Sequence, residues 1–250
     1  MSSDNEPVLT SLTLLAYQRS IGQLPDFSPP RTVIFVPQKS LADYALRRLA
    51  ARRIKGFLGD FYLLKRTDGK IAISTGFGIG APVVAALTDQ FAALGVKQFA
   101  LIGMAGALQP ELNPGSLVIC NNAIRGEGVS HHYLPPGLTV DASKEMAQVL
   151  SQILRKRNQS HSIGAVWTTD APFRELRKTV LEYQRAGVLA VDMEAAALMS
   201  VARAQELPAI AMFSIADQLS GGQWKAAKGL HPVQKGLEIL FDALIEFLAA

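Results

Sequence analysis

Short apolar runs that alternate with segments of helical periodicity are the feature that most constrains the fold of this chain. The apolar runs lie at residues 32–36, 98–102, 117–124, 163–168 and 209–215. Apolar residues recur with helical spacing at residues 40–53, 81–94, 143–157, 174–185 and 232–249. Strands that are apolar on both faces must be covered on both faces. The alternation therefore predicts a single-domain, three-layer α/β/α fold with a mixed, mainly parallel central sheet.

The chain is predicted to be one domain preceded by an arm. Its 250 residues, 49% of them hydrophobic, are enough for one large core. Residues 1–30 form the predicted N-terminal arm, with a short amphipathic helix at 9–17 before a proline-rich breaker at 25–30. Residues 31–250 form the α/β domain. Within it, Thr67-Asp68-Gly69 predicts a hairpin turn, because Asp-Gly tolerates the positive φ that such turns need.

The composition argues against nucleic-acid and membrane partners. The net charge is +4, but only 7% of the residues are aromatic and the basic residues are spread through predicted helices, as at Arg47, Arg48, Arg52 and Arg53. No stretch reaches the ~18 apolar residues of a membrane span, and no signal-peptide pattern is present. We therefore expect a cytoplasmic protein. The single cysteine, Cys120, lies in a strand pattern and is expected to be a core residue.

Two carboxylates follow the apolar run at residues 188–191, at a predicted junction of strand and helix. Asp192 and Glu194 flank Met193 and precede a row of small helix formers. Ligands of α/β proteins bind in the crevice beyond the carboxyl ends of the strands, so these acids are placed to bind a polar ligand. Acids in a first helical turn also stabilise the helix dipole, which is the structural alternative.

Three motifs resemble those of the nucleoside phosphorylase and nucleosidase superfamily in order and spacing. They are Val-Asp-Met-Glu-Ala at 191–195, Ser-Thr-Gly-Phe-Gly-Ile-Gly-Ala-Pro at 74–82, and Ile-Gly-Met-Ala-Gly-Ala-Leu-Gln-Pro at 102–110 followed by Pro-Gly-Ser-Leu-Val at 114–118. This superfamily includes hexameric-type purine nucleoside phosphorylases and uridine phosphorylases. The resemblance implies a nucleoside phosphorylase-like domain at 31–250 that cleaves the N-glycosidic bond of a nucleoside.

The resemblance assigns residues to the ribose and to the chemistry at the base. Asp192, Met193 and Glu194 match the ribose-binding motif, in which Glu194 holds the ribose hydroxyls, although the family more often has glutamate at position 192. Asp217 matches the aspartate that acts as general acid or hydrogen-bond donor toward N7 of a purine. Uridine phosphorylases lack this feature, so a purine is favoured over uridine. A cap on the following turn is the structural alternative for Asp217.

The resemblance also implies a base pocket. Residues 168–174 resemble the family's base-pocket segment, with Asp170 and Phe173 as base-binding residues, and Phe173 is a candidate either for stacking on the base or for the core. His131 and His132 lie in a Gly-containing loop and are candidates for binding a sugar or a neighbouring subunit. The histidines show no metal-ligand spacing, so we expect no metal and no cofactor beyond inorganic phosphate as a co-substrate.

The phosphate-binding positions of the family are altered. Leu101 and Met104 stand where phosphorolytic members have an arginine and a serine or threonine, and neither side chain donates a hydrogen bond. We therefore expect a weaker anion site, formed by backbone amides of the two glycine segments together with a lysine or with an arginine of a second subunit. The candidate residues are Gly78, Gly80, Gly103, Lys39 and Arg53.

These observations favour a phosphorylase, a glycosyltransferase of the pentosyl type. A nucleosidase that uses water and a non-catalytic nucleoside-binding protein stand as the alternatives. The resemblance further implies a homo-oligomer, either a dimer or a trimer of dimers.

Overall fold

The apolar runs and the amphipathic segments form the strands and helices of one α/β unit. The computed structural model describes residues 7–249. The helices are α1 (Ser11–Ser20), α2 (Lys39–Leu49), α3 (Ala81–Leu94), α4 (Lys144–Lys156), α5 (Arg177–Arg185), α6 (Ala195–Ala204) and α7 (His231–Ala249). The strands are β1 (Thr32–Val36), β2 (Ala51–Ile54), β3 (Asp60–Leu64), β4 (Ile71–Thr75), β5 (Gln98–Ala107), β6 (Leu117–Gly126), β7 (Thr139–Asp141), β8 (His161–Thr169), β9 (Ala190–Asp192), β10 (Ala209–Gln218) and β11 (Lys225–Ala226).

The strands form one mixed sheet that curls back on itself. β1 pairs in parallel with β4 and β5, and β5 pairs in parallel with β10. β10 runs antiparallel to β6, which is parallel to β8, and β8 is parallel to β9. β9 closes the ring by pairing antiparallel with the end of β5. As a result, the carboxyl ends of β5, β9 and β10 meet at Gly106, which pairs with both Val191 and Asp217.

The remaining strands extend the edges of this sheet. β4, β3 and β2 follow one another as antiparallel neighbours beyond β1. The short strands β7 and β11 pair antiparallel with β6 and β10 respectively.

Helices cover both faces of the sheet. α3 packs against α1 and α6, and α7 packs against α2 and α4. The core between them contains a cluster of buried rings in which Phe61 and Phe91 lie 4.7 Å apart between centroids. Full burial of one such side chain contributes about 1.5–3 kcal/mol of hydrophobic stabilisation. The predicted three-layer fold with a mixed sheet is confirmed. In the described part of the chain, no helix is long and apolar enough to cross a membrane.

Several local predictions are confirmed as well. β3 and β4 are antiparallel, and Asp68 and Gly69 between them have φ values of 53° and 71°. Cys120 is fully buried in β6. α1 forms within the predicted arm and buries Leu15 against the core. Residues 1–6 of the predicted arm lie outside the described residues.

Two boundary predictions are wrong. The helix predicted at residues 40–53 ends at Leu49, because Ala50 has a φ of 47° and the chain then forms β2. Arg52 and Arg53 are exposed on that edge strand, where solvated charges give the same polarity pattern as a helix face. The strand predicted at residues 98–102 is too short, because β5 continues through the second glycine segment to Ala107 by pairing with β10 and β9.

Candidate active site

A cavity of about 720 Å³ lies where the ends of β5, β9 and β10 meet. Its lining contains Pro37 and Gln38 after β1, Met104 of β5, and the segment between β10 and β11 that carries Trp224. Among the described residues, its charged lining side chains are Glu175, Arg177, Asp192, Glu194 and Asp217. A concave, largely apolar site with a few converging polar groups is typical of small-molecule binding.

Asp192 fixes the start of α6. Its Oδ2 accepts hydrogen bonds from the backbone N–H groups of Glu194 at 2.9 Å and Ala195 at 2.6 Å. Its Oδ1 accepts one from the Thr168 hydroxyl at 2.6 Å, and Thr168 in turn accepts one from the Ala196 N–H at 2.9 Å. Burial raises the pKa of Asp192, while these hydrogen bonds oppose the shift. Asp192, a predicted ribose-binding residue, lines the cavity and also caps the start of α6.

Glu194 joins α6 to the first glycine segment. Its Oε1 accepts a 2.6 Å hydrogen bond from the N–H of Gly80, which precedes α3. The side chain is 7% exposed, and burial followed by the nearby charge of Asp192 raises the pKa of Glu194. Because Asp192 accepts three hydrogen bonds that favour its charged form, Glu194 is the member of this pair that favours its protonated form. Glu194 therefore enters the cavity with one oxygen held by the protein.

Asp217 lies at the end of β10, directly opposite Gly106. Its Oδ2 accepts a 2.7 Å hydrogen bond from Nε1 of Trp224. Its Oδ1 would be 2.9 Å from a Cβ at position 106, so this carboxylate packs in the space that the missing side chain leaves. The predicted catalytic residue is thus oriented from two sides within the cavity.

Glu175 is a lining carboxyl group that the sequence did not single out. It directly follows the 3-10 turn Pro172–Arg174 and lies two residues before α5, where it is half-buried. Desolvation, followed by the charge of Asp217, raises the pKa of Glu175 to about 7. The only sequence signal was its place in a charged helical segment, which is typical of a solvated face. Its neighbour Arg177 also lines the cavity.

The predicted base-binding residues occupy different environments. Phe173 is 97% exposed at the cavity, so it is not a core residue and its face is available to a ligand. Asp170 does not line the cavity; its Oδ2 accepts a 2.9 Å hydrogen bond from the Gly128 N–H. His131 and His132 are exposed in a 3-10 turn at Val129–His132 and do not line the cavity either.

The structure does not bring the predicted anion-binding residues together. The Gly80 N–H is already bound to Glu194, and Gly103 lies inside β5. Gly78 and Lys39 are exposed and absent from the cavity lining, and Arg53 forms an ion pair with Asp60.

Two other side chains occupy the cavity beside β1 and β5. Met104 lines it, and so does Gln38, whose buried Oε1 has no hydrogen-bond partner in the described part of the chain. Leu101 is fully buried. This part of the cavity is therefore built from an apolar thioether and a neutral amide rather than from cationic side chains.

Comparisons with known proteins agree with this architecture. A family model described as the phosphorylase superfamily matches residues 38–240. Guanosine phosphorylase of Halorubrum lacusprofundi is 29% identical over 189 residues, which cover 71% of this chain and 77% of that protein. Uridine phosphorylase of Escherichia coli is 27% identical over 156 residues, which cover 57% of this chain but only 62% of that protein, under two thirds of its length. A uridine phosphorylase structure from Vibrio fischeri, 20% identical, has the same fold, with a TM-score of 0.76 over 88% of this chain and 92% of that one.

Proposed function

The chain belongs to the phosphorylase superfamily, and from this premise we propose that it is an enzyme that cleaves the N-glycosidic bond of a purine nucleoside. The observation that carries the proposal is the single cavity into which Glu194, Asp217 and Glu175 all project. Cleavage of this bond leaves positive charge on the ribose and negative charge on the departing base. A site for it needs an acceptor of hydrogen bonds at the sugar and a proton donor at the base.

Glu194 and Met193 are the proposed ribose-binding residues. Burial raises the pKa of Glu194, and two ribose hydroxyls would supply the donors that favour its ionised form. Charge-assisted hydrogen bonds from the ribose to this carboxylate strengthen as the ring becomes cationic, so they stabilise the transition state more than the ground state. Met193 supplies an apolar surface beside the sugar.

Asp217 and Glu175 are the proposed residues at the base. A purine offers N7 as a site for a proton, which relieves the charge that builds up as the base leaves. The exposed rings of Phe173 and Trp224 at the same cavity suit stacking on a planar base. β5 and β9 lie between β1 and β8 in the sheet, so Glu175 and Gln38 approach the cavity from opposite sides. This arrangement leaves the side of the cavity near β1 for the ribosyl acceptor, the molecule that attacks C1′.

We propose phosphate as the acceptor because the curated relatives are named phosphorylases. The phosphate site is expected to be weak, because Met104 and Gln38 line the side of the cavity near β1. Among the described residues, Arg177 is the basic side chain that lines the cavity. Water is the second candidate acceptor. It is favoured by the excess of acidic over basic lining side chains, which disfavours a phosphate dianion.

The first prediction concerns substrate and acceptor. We expect the purified protein to release base from guanosine, inosine or adenosine faster than from uridine, with a Michaelis constant for phosphate above the range usual in the family. The measurement is chromatography of base and sugar products with and without phosphate. Ribose 1-phosphate indicates phosphorolysis, and free ribose in phosphate-free buffer indicates hydrolysis. Binding of nucleosides without release of base under either condition would contradict both reactions, and a strict preference for uridine would contradict the purine assignment.

A second prediction concerns assembly. Apolar side chains of the arm and α1 are exposed, namely Val8, Leu9, Leu12, Tyr17 and Ile21. Contiguous exposed apolar groups of this kind are typical of subunit contacts, so we expect a dimer or a larger homo-oligomer. Sedimentation velocity at micromolar concentration measures the mass of the particle, and Leu12→Glu should shift it toward monomer without loss of fold. A monomer for the unchanged chain would contradict the prediction.

A further inference from the structure

We propose that Glu175 is the acid that protonates the departing base, and that Asp217, whose orientation Trp224 and Gly106 fix, is its partner at the base. This inference rests on the proposed function and divides the chemistry at the base between two carboxyl groups. It differs from the sequence-based expectation, which gives the proton transfer to Asp217.

One oxygen of Asp217 is committed as a hydrogen-bond acceptor. An indole N–H can only donate, so the oxygen of Asp217 that binds Trp224 at 2.7 Å accepts and carries no proton there. The other oxygen packs over Gly106, where an added Cβ would lie at 2.9 Å. The N–H of Trp224 and the close packing against Gly106 together fix the orientation of this carboxylate.

Glu175 is built to hold a proton near neutral pH. It lines the same cavity as Asp217 and is half-buried in the turn before α5. Desolvation and the charge of Asp217 raise the pKa of Glu175 to about 7. The other charged side chains that line this cavity are Arg177 on α5 and Asp192 and Glu194 at the start of α6. The two carboxyl groups therefore have different environments in one cavity, because desolvation is the main influence on Glu175 whereas a hydrogen bond from Trp224 holds Asp217.

The proposed step balances as follows. The bond from C1′ to the purine nitrogen breaks, and its electron pair stays on the base. The carboxyl proton of Glu175 moves to N7 of the base, while an oxygen of the acceptor forms the new bond to C1′. The proton that the acceptor releases on forming this bond returns to the Glu175 carboxylate through solvent.

The test compares two substrates. Guanosine needs a proton at N7 before its base departs, whereas 7-methylguanosine carries a cationic base and needs none. We expect Glu175→Gln to lower kcat/KM for guanosine about 100-fold, within the range of general-acid catalysis, and to change it less than about 3-fold for 7-methylguanosine. Activity on 7-methylguanosine also reports that the variant is folded. Glu182→Gln, at an exposed position of α5, should change neither value.

The pH profile gives an independent readout. If Glu175 must be protonated, kcat for guanosine falls as the pH rises through about 7, and this decline is absent in Glu175→Gln, whose amide does not titrate. Asp217→Asn removes the charge that raises the pKa of Glu175, so the decline should move to lower pH. Equal losses of Glu175→Gln on both substrates, or an unmoved decline in Asp217→Asn, would overturn the acid role while leaving the proposed function intact. Failure of the unchanged protein to cleave either substrate would overturn both.

Discussion

Glu194→Gln is expected to lower kcat/KM for the preferred nucleoside about 100-fold, close to 3 kcal/mol of transition-state stabilisation. The amide is nearly isosteric, and its oxygen can still accept the hydrogen bond from Gly80 that Glu194 Oε1 accepts at 2.6 Å. What it loses is the negative charge facing the ribose, and this charge matters most when the ring is cationic. Steady-state kinetics should therefore show a fall in kcat together with kcat/KM, rather than a rise in KM alone.

Glu145→Gln is the matched control for this experiment. Glu145 lies in the first turn of α4, is exposed, and does not line the cavity. It shares with Glu194 a place at a helix start, where an acid interacts with the helix dipole. We expect its activity to be unchanged and the melting temperatures of both variants to stay close to that of the parent. Full activity in Glu194→Gln would contradict the ribose-binding role and would leave Glu194 a structural role only, through its hydrogen bond from Gly80.

The layers of the fold could be predicted because strands that are buried on both faces appear in the sequence as continuous apolar runs. The run of β1 is fully buried, and the spacing of apolar residues in α3 matches the observed helix at Ala81–Leu94. β2 was missed because its two arginines are solvated on an edge strand, and their polarity resembles a helix face. Nothing in the local pattern distinguishes these two structures.

The candidate site was only partly accessible from sequence. Asp192, Met193 and Glu194 are adjacent in the chain, so a strand-to-helix junction was enough to single them out. The bond between Gly80 and Glu194 joins residues 114 positions apart, and no local spacing encodes it. Glu175 was missed for the same reason, because only the curling of the sheet brings the segment after β8 next to Asp217 on β10.

Asp192→Ala is expected to lower the free energy of unfolding by about 3 kcal/mol or more, because it leaves several buried donors without an acceptor. Asp192 is 4% exposed and accepts hydrogen bonds from Thr168 and from two N–H groups at the start of α6. Asp192→Asn should retain most of the stability, since asparagine is also a strong helix cap and its oxygen can accept from the same two N–H groups. Urea denaturation followed by circular dichroism measures both differences.

Ser143→Ala provides the reference for an ordinary cap. The Ser143 hydroxyl accepts a single 3.3 Å hydrogen bond from the Met146 N–H at the start of α4, and its loss should cost only about 1 kcal/mol. A similar small loss in Asp192→Ala would contradict the role of Asp192 in fixing α6.

The kinetics of Asp192→Asn test whether Asp192 also contacts the ribose. Both oxygens of Asp192 are committed to the protein, so we expect KM to change little, and a large rise in KM would instead place Asp192 on the sugar beside Glu194.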